Sequence, residues 1–158
     1  MKLKLTATLL LAASAAFAQQ NEVNRFQQYR PIWENGTLAQ KDSLATALLG
    51  EVKGYKTEQE YRTTMNLLYA LGHEEDQKQL GVQARKKFPK GSLTRDAFVS
   101  DVFYKAETSE AKEKAYKELT KKWPQKYFVG EELSYDYVLA NLAGTYAKEG
   151  NATKAVSY

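Results

Sequence analysis

No cysteine occurs among the 158 residues, and histidine (one), methionine (two) and proline (three) are scarce. The first absence excludes disulfides and any thiol chemistry carried by the chain itself. Small exported domains with a thin core often rely on such bridges, but a chain of this length buries enough surface to fold without them. The single histidine, His73, excludes a histidine pair for metal binding or a proton relay. It stands in "GHEED", yet adjacent side chains on a helix diverge, and the acids there suit the positive end of a starting helix. Glu131, Glu132 and Asp136 could be imagined as a carboxylate pair for glycoside chemistry. Turn and first-turn positions explain them more simply. Phosphate-binding loops, glycine-rich dinucleotide turns and nucleophile elbows are missing. No catalytic residue, metal site or cofactor is therefore expected.

Long apolar runs are also scarce, with one exception at the start. Lys2 and Lys4 lead into a run from Leu5 to Phe17 whose polar members are Thr6, Thr8 and Ser14, and Ala16-Phe17-Ala18 then meets Gln19-Gln20. A positive start, an apolar centre and a small-x-small end make the pattern of a secretory signal peptide, cut after Ala18. A bilayer span would need about 20 apolar residues, so residues 1–18 read as a leader. No cysteine follows to carry a lipid anchor. The expected destination is the periplasm, the cell envelope or the extracellular space, with no membrane insertion once the leader is removed.

Charge of one sign is in short supply as well. The chain has 23 Lys and Arg against 19 Asp and Glu, a formal +4, and the leader holds two of the lysines, leaving 21 against 19. The charges are interspersed, as in "SEAKEKAYKELTKK", which marks a solvated helix surface. So small an excess argues against nucleic acid as a partner. Asn35-Gly36-Thr37 and Asn151-Ala152-Thr153 have the form of glycosylation acceptors.

What is present is helical periodicity. Thr57 and Glu60 have capping-box spacing, and Tyr61, Met65, Leu68 and Leu71 follow at helical intervals before Gly72. A second helix starts in "HEED", carries Leu80, Ala84 and Phe88, and must stop before Pro89. The next pair places Phe98, Val102 and Phe103 on Leu93 to Ala106, then Ala115, Tyr116, Leu119 and Trp123 on Ser109 to Trp123, before Pro124. A further helix over about Leu133 to Lys148 shows Tyr135, Val138, Leu139, Leu142 and Tyr146. Gly150 follows, and "NATKAVSY" opens a partner helix that is left unfinished. Residues 19–56 predict a short helix broken at Pro31, then a Thr37-led helix with Leu44, Leu48 and Val52, weakened near its end by Gly50 and Gly54.

"RKKFPKG" (Arg85 to Gly91) returns as "TKKWPQK" (Thr120 to Lys126), with the prolines 35 residues apart. Each proline stands just past the second helix of a pair, where an aromatic packs under the next pair and lysines offset the negative helix end. A period of this size in a helical chain suggests stacked hairpins. The stretch "NLAGTYAKEGNATKAVSY" resembles a tetratricopeptide repeat through Asn141-Leu142-Ala143, Tyr146, Gly150 and Ala155, and Gly72, Ala84 and Pro89 resemble an earlier copy. The copy ending at Pro124 departs from the pattern, with Glu107 where the turn glycine would stand, and "QKYFVGEE" is extra to the period.

The expected architecture is all-α. Stacked antiparallel helix hairpins form a tetratricopeptide-like solenoid, with an N-terminal helical cap over 19–56, repeats over 57–158 and an incomplete last repeat. The residues expected to pack the repeats are Gly72, Ala84, Phe88, Pro89, Leu119, Trp123, Pro124, Leu142, Ala143, Tyr146, Gly150 and Ala155. Eleven tyrosines are many for this length. Tyr61, Tyr104, Tyr116, Tyr135 and Tyr146 lie near apolar faces and read mainly as core, with some available to a peptide-holding groove. The expected function is non-catalytic protein–protein binding or scaffolding, with a protein or peptide partner, or self-association through the unfinished repeat. The layout of leader, helical repeats and "KKWPQKYFVGEELSYDYVLANLAGTYAKEGNATKAVSY" is also similar to the N-terminal region of secreted thioredoxin-superfamily proteins of Bacteroidota-type bacteria. That resemblance implies a helical part preceding a thiol–disulfide oxidoreductase domain beyond residue 158, and hence a truncated chain.

Overall fold

The computed structural model describes residues 24–127 and 135–158. The leader and the Glu131 and Glu132 carboxylates lie outside those residues. Within them every regular element is helical and no strand occurs. The fold class is all-α, as the 3.6-residue periodicity predicts. Helix α1 covers 24–35. It is followed by α2 (Leu38–Glu51) with a 3-10 turn over Val52–Gly54, α3 (Glu58–Ala70) and α4 (Glu74–Lys87). Helix α5 (Ser92–Phe98) runs into a π-helical turn over Val99–Phe103, and α6 (Ser109–Lys122) is followed by a 3-10 turn over Gln125–Tyr127. Helices α7 (Tyr135–Lys148) and α8 (Ala152–Ser157) complete the order. The chain divides into two compact units between Ala84 and Arg85, within α4.

In the first unit, helix starts are written in side chains. Thr37 and Thr57 each accept a hydrogen bond from a third-position backbone N–H, while Gln40 and Glu60 return a bond to the capping residue. These reciprocal caps satisfy donors that a helix start would otherwise leave bare. The core gathers Ala45 and Leu48 from α2, Tyr61, Leu67 and Leu68 from α3, and Leu71, Leu80 and Ala84 from α4 and its approach. Thr63 and Thr64 are buried too, so α3 is covered on more than the stripe its leucines predict. The Thr64 hydroxyl lies 2.6 Å from that of buried Tyr55, whose ring meets Tyr61 edge-on at 5.3 Å. One expectation is corrected: α1 is not broken at Pro31 but runs through it. Pro31 and Gln27 are both exposed, so water can serve the carbonyl that the missing proline N–H leaves free.

In the second unit, one cluster unites Val99 and Phe103 with Ala115, Leu119 and Trp123 of α6 and its cap, and with Tyr135, Val138, Leu142 and Tyr146 of α7. Phe98, Tyr116 and Ala155 pack against it from partly buried positions. Helices α6 and α7 are antiparallel: Ser109 at the start of α6 bonds Glu149 just past α7, and Trp123 past α6 receives a hydrogen bond from Tyr135 at the start of α7. A second correction belongs here. Val102 was expected inside with Phe98 and Phe103, but it is 45% exposed while Val99 is buried. The π turn widens the helix by a residue, which rotates Val99 and Phe103 into the core and Val102 out.

Two turns share one construction. Gly72 and Gly150 have φ of +85° and +81°, a region that side chains with a Cβ resist. In each, the glycine N–H and the next N–H reach back to close the preceding helix: Gly72 to Tyr69 at 3.0 Å and His73 to Leu68 at 2.8 Å, then Gly150 to Ala147 at 3.1 Å and Asn151 to Tyr146 at 2.9 Å. This is the Schellman arrangement. His73 and Asn151 then open the following helix, Asn151 with a side-chain cap on Lys154 N–H. Between α5 and α6, where Glu107 stands, no such glycine is available. The chain there takes the π turn and a longer link to Thr108, which caps α6 through the Ala111 N–H.

Candidate functional site

Among the described residues, a groove of about 740 Å³ in the second unit is suited to hold a ligand. It arises where two helices must stop. Pro89 prevents α4 from continuing, and the Thr94 hydroxyl donates to the Phe88 carbonyl at 2.8 Å, pinning the link into α5. On the other side α6 stops at Trp123, ahead of Pro124. The floor between them is Pro89, Ala97, Phe98, Val102 and Trp123. Thr94, Ala97, Phe98 and Asp101 lie at helical i, i+3, i+4, i+7 spacing, and the small Ala97 leaves the space open. Phe98 and Trp123 sit 5.4 Å apart with their rings tilted at 45°.

The rim is charged. Arg85, Lys90, Lys121 and Lys122 face a single carboxylate, Asp101. Asp101 pairs with Lys105 at 2.9 Å, and the hydrogen bond from Lys105 lowers its pKa. Lys122 pairs with Glu118 at 2.5 Å while its Nζ lies 5.7 Å from the Phe98 ring centre and 5.8 Å from that of Trp123. Lys90 and Lys121 form no ion pair among the described residues.

Both copies of the Lys-Lys-aromatic-Pro stretch thus contribute to one groove, though with different residues. The first supplies Arg85, Pro89 and Lys90; the second supplies Lys121, Lys122 and Trp123. Their recurrence was visible in the sequence, but the convergence of their cations was not. Of the residues expected to pack the repeats, Ala84, Leu119, Trp123, Leu142 and Tyr146 are buried. Gly72 and Gly150 occupy the two left-handed turns. Phe88, Pro124, Ala143 and Ala155 are partly buried, and Pro89 is exposed. Among the tyrosines, Tyr61, Tyr135 and Tyr146 are core, Tyr116 is partly buried and Tyr104 is 47% exposed.

A second polar cluster ties α6, α7 and α8 together, and no sequence pattern announced it. Glu113, with a side chain 13% exposed, accepts from Lys117 at 2.5 Å, from Lys154 at 2.9 Å and from the Tyr146 hydroxyl. These donors, with the Tyr158 hydroxyl, hold its carboxyl far below the usual glutamate range. The Glu113 hydrogen bond in turn raises Lys154, whose Nζ lies 4.9 Å from the Tyr146 ring centre. Tyr158 stacks on Tyr146 with centroids 6.0 Å apart. Nearby, Lys112 donates to Asn141 at 2.6 Å and covers the Phe103 ring. The donors are satisfied internally, so this cluster reads as a clasp between helices.

His73 bridges Asp42 of α2 and Asp76 of α4, each at 3.0 Å from one ring nitrogen. The hydrogen bond to Asp76, aided by Asp42, raises its pKa. Asp136 is exposed in the first turn of α7. Among the described residues no group of three or more His, Cys, Asp or Glu side chains is placed to hold a metal, and no helix is long and apolar enough to cross a membrane. No protein-family model, curated protein or solved structure matches the chain, so its functional reading rests on the geometry of the groove.

Proposed function

We propose that the chain is an exported, non-catalytic protein-binding module built of tetratricopeptide-like helical repeats, whose groove holds a segment of a protein partner. The observation that carries this reading is the open groove with an apolar floor of Phe98, Val102 and Trp123 between two helix ends. Concave sites with an apolar floor and a few polar rim groups are the usual form of a recognition site. The shared construction of the Gly72 and Gly150 turns supports the repeat element of the reading, and the apolar leader over Leu5 to Phe17 supports export.

The test is a screen of immobilised peptides of mixed composition against the purified chain, followed by titration of those retained. Saturable one-to-one binding, abolished by Ala97→Trp, which fills the groove, is the expected outcome. Retained peptides that bind Ala97→Trp equally well would place recognition elsewhere. Export is checked separately by mass: the secreted product should begin at Gln19.

A further inference from the structure

Taking the groove as the binding site, we infer that its partner is an acidic peptide segment carrying one large apolar side chain. The apolar group enters between Phe98, Val102 and Trp123, and flanking carboxylates meet Arg85, Lys90 and Lys121. The inference comes from counting charge at the rim. Among the described residues Arg85, Lys90, Lys105, Lys121 and Lys122 stand against Asp101 and Glu118, with Arg85 as well as Lys105 acting on Asp101, an excess of three cations. Two helix C-termini also face this region, and each contributes roughly half a negative charge. About two positive charges remain, so a carboxylate-bearing segment is favoured and a lysine-rich one is repelled. The surroundings agree, since the unit Arg85–Tyr158 has 14 Lys and Arg against 10 Asp and Glu.

The floor decides against other anions. A nucleic-acid base needs an accessible aromatic face on which to stack, whereas Trp123 is 4% exposed and partnered by Phe98. An anionic membrane would be met by protruding aromatics and basic side chains together, and Trp123 cannot protrude. A side chain entering from a peptide needs only the recess that Ala97 leaves open. Lys90 and Lys121 are exposed, so they can follow carboxylates on either side of that anchor.

The experiment uses the chain with Trp33→Phe, which leaves Trp123 as the only tryptophan of the two present. Its emission is followed while three synthetic peptides of equal length are added. One is rich in Glu with a central Phe, one has Lys in place of Glu, and one keeps Glu but has Gly in place of Phe. Flotation with phosphatidylglycerol vesicles runs in parallel. The acidic Phe peptide should bind at least about tenfold more tightly than either variant peptide, a difference of 1.4 kcal/mol. Raised salt should weaken it. The double substitution Lys90→Glu with Lys121→Glu, with unchanged helix content by circular dichroism, should reverse the preference between Glu and Lys peptides.

Equal binding of the Glu and Lys peptides, still abolished by Ala97→Trp, would overturn the acidic partner and leave the groove reading standing. Binding of no peptide, or binding indifferent to Ala97→Trp, would overturn both. Vesicle flotation without peptide binding would also overturn the inference, in favour of a lipid surface.

Discussion

Gly72 and Gly150 are where single residues matter most directly to the backbone. Both have positive φ, and open space surrounds the position where a Cβ would stand. Any cost of Gly72→Ala or Gly150→Ala is therefore conformational and not steric, about 1–2 kcal/mol for a left-handed L-residue. Urea unfolding should show that loss in each variant, with Asn at either position recovering part of it. Two titrating residues set a pH dependence of opposite sign. Glu113 has a folded pKa below its ordinary 4.5, so its contribution is present above that value and lost as pH falls toward the folded one. His73 has a folded pKa above its ordinary 6.5, so its contribution is present below 6.5 and lost as pH rises through the folded value. Together they favour the folded state most between those two figures. Unfolding midpoints of Glu113→Gln should fall less on acidification than those of the parent, and midpoints of His73→Gln should fall less on going from about pH 6 to about pH 8.5.

At the scale of the helix, starts are secured by side chains and stops by glycine or proline. Thr57→Ala removes the hydroxyl that accepts from the Glu60 N–H while leaving the backbone N–H of residue 57 to donate to the Glu60 carboxylate, and it should cost about 1 kcal/mol. The turn between α5 and α6 gives a sharper test of how one helix is led into the next. If Glu107 merely stood in for a missing glycine, Glu107→Gly would stabilise the chain. Among the described residues no non-glycine has positive φ, so Glu107 is unstrained. Glycine there should instead leave stability unchanged or lower it by up to about 1 kcal/mol through added freedom of the unfolded chain. Thermal unfolding of that single variant distinguishes the two. The clasp of Glu113, Tyr146 and Lys154 also belongs to this scale, since it joins three helices through side chains that their own helical stripes do not explain.

For the whole molecule, the consequential feature is the distribution of charge. The whole chain's excess of four cations over acids falls entirely within the unit Arg85–Tyr158, since residues 1–84 hold 9 of each. Several of those cations stand around one apolar recess. A partner seated there binds the folded state alone, so it should stabilise by mass action. At a concentration of about 100 times its Kd, a groove ligand should add about 2.7 kcal/mol. Scanning calorimetry should show the corresponding rise in Tm, and Ala97→Trp should remove the rise without lowering the ligand-free Tm by a comparable amount.

Much of the local structure was legible in the residues because its causes are local. Thr57 with Glu60 announced a cap, Gly72 and Gly150 announced turns, and Pro89 and Pro124 announced helix ends, each through the conformations its own backbone permits. Leucine and tyrosine spacing was enough to show an all-helical chain and most of its buried stripe. Three things escaped that reasoning. Pro31 did not break α1, since an exposed carbonyl can turn to water; Val102 pointed outward, since a π turn shifts the helical register; and Glu113 found four donors. The groove belongs with these. Lysines at a helix end read in sequence as partners of the helix dipole, which they are. That Arg85 and Lys90 should meet Lys121 and Lys122 around Phe98 depends on how α5 and α6 pack, and packing is set by side chains far apart in the chain. The sequence alone determined most of the places where helices begin and end, because backbone sterics and caps act over a few residues. Only the tertiary structure decided which charges share a recess, because proximity across helices is a property of the core that joins them.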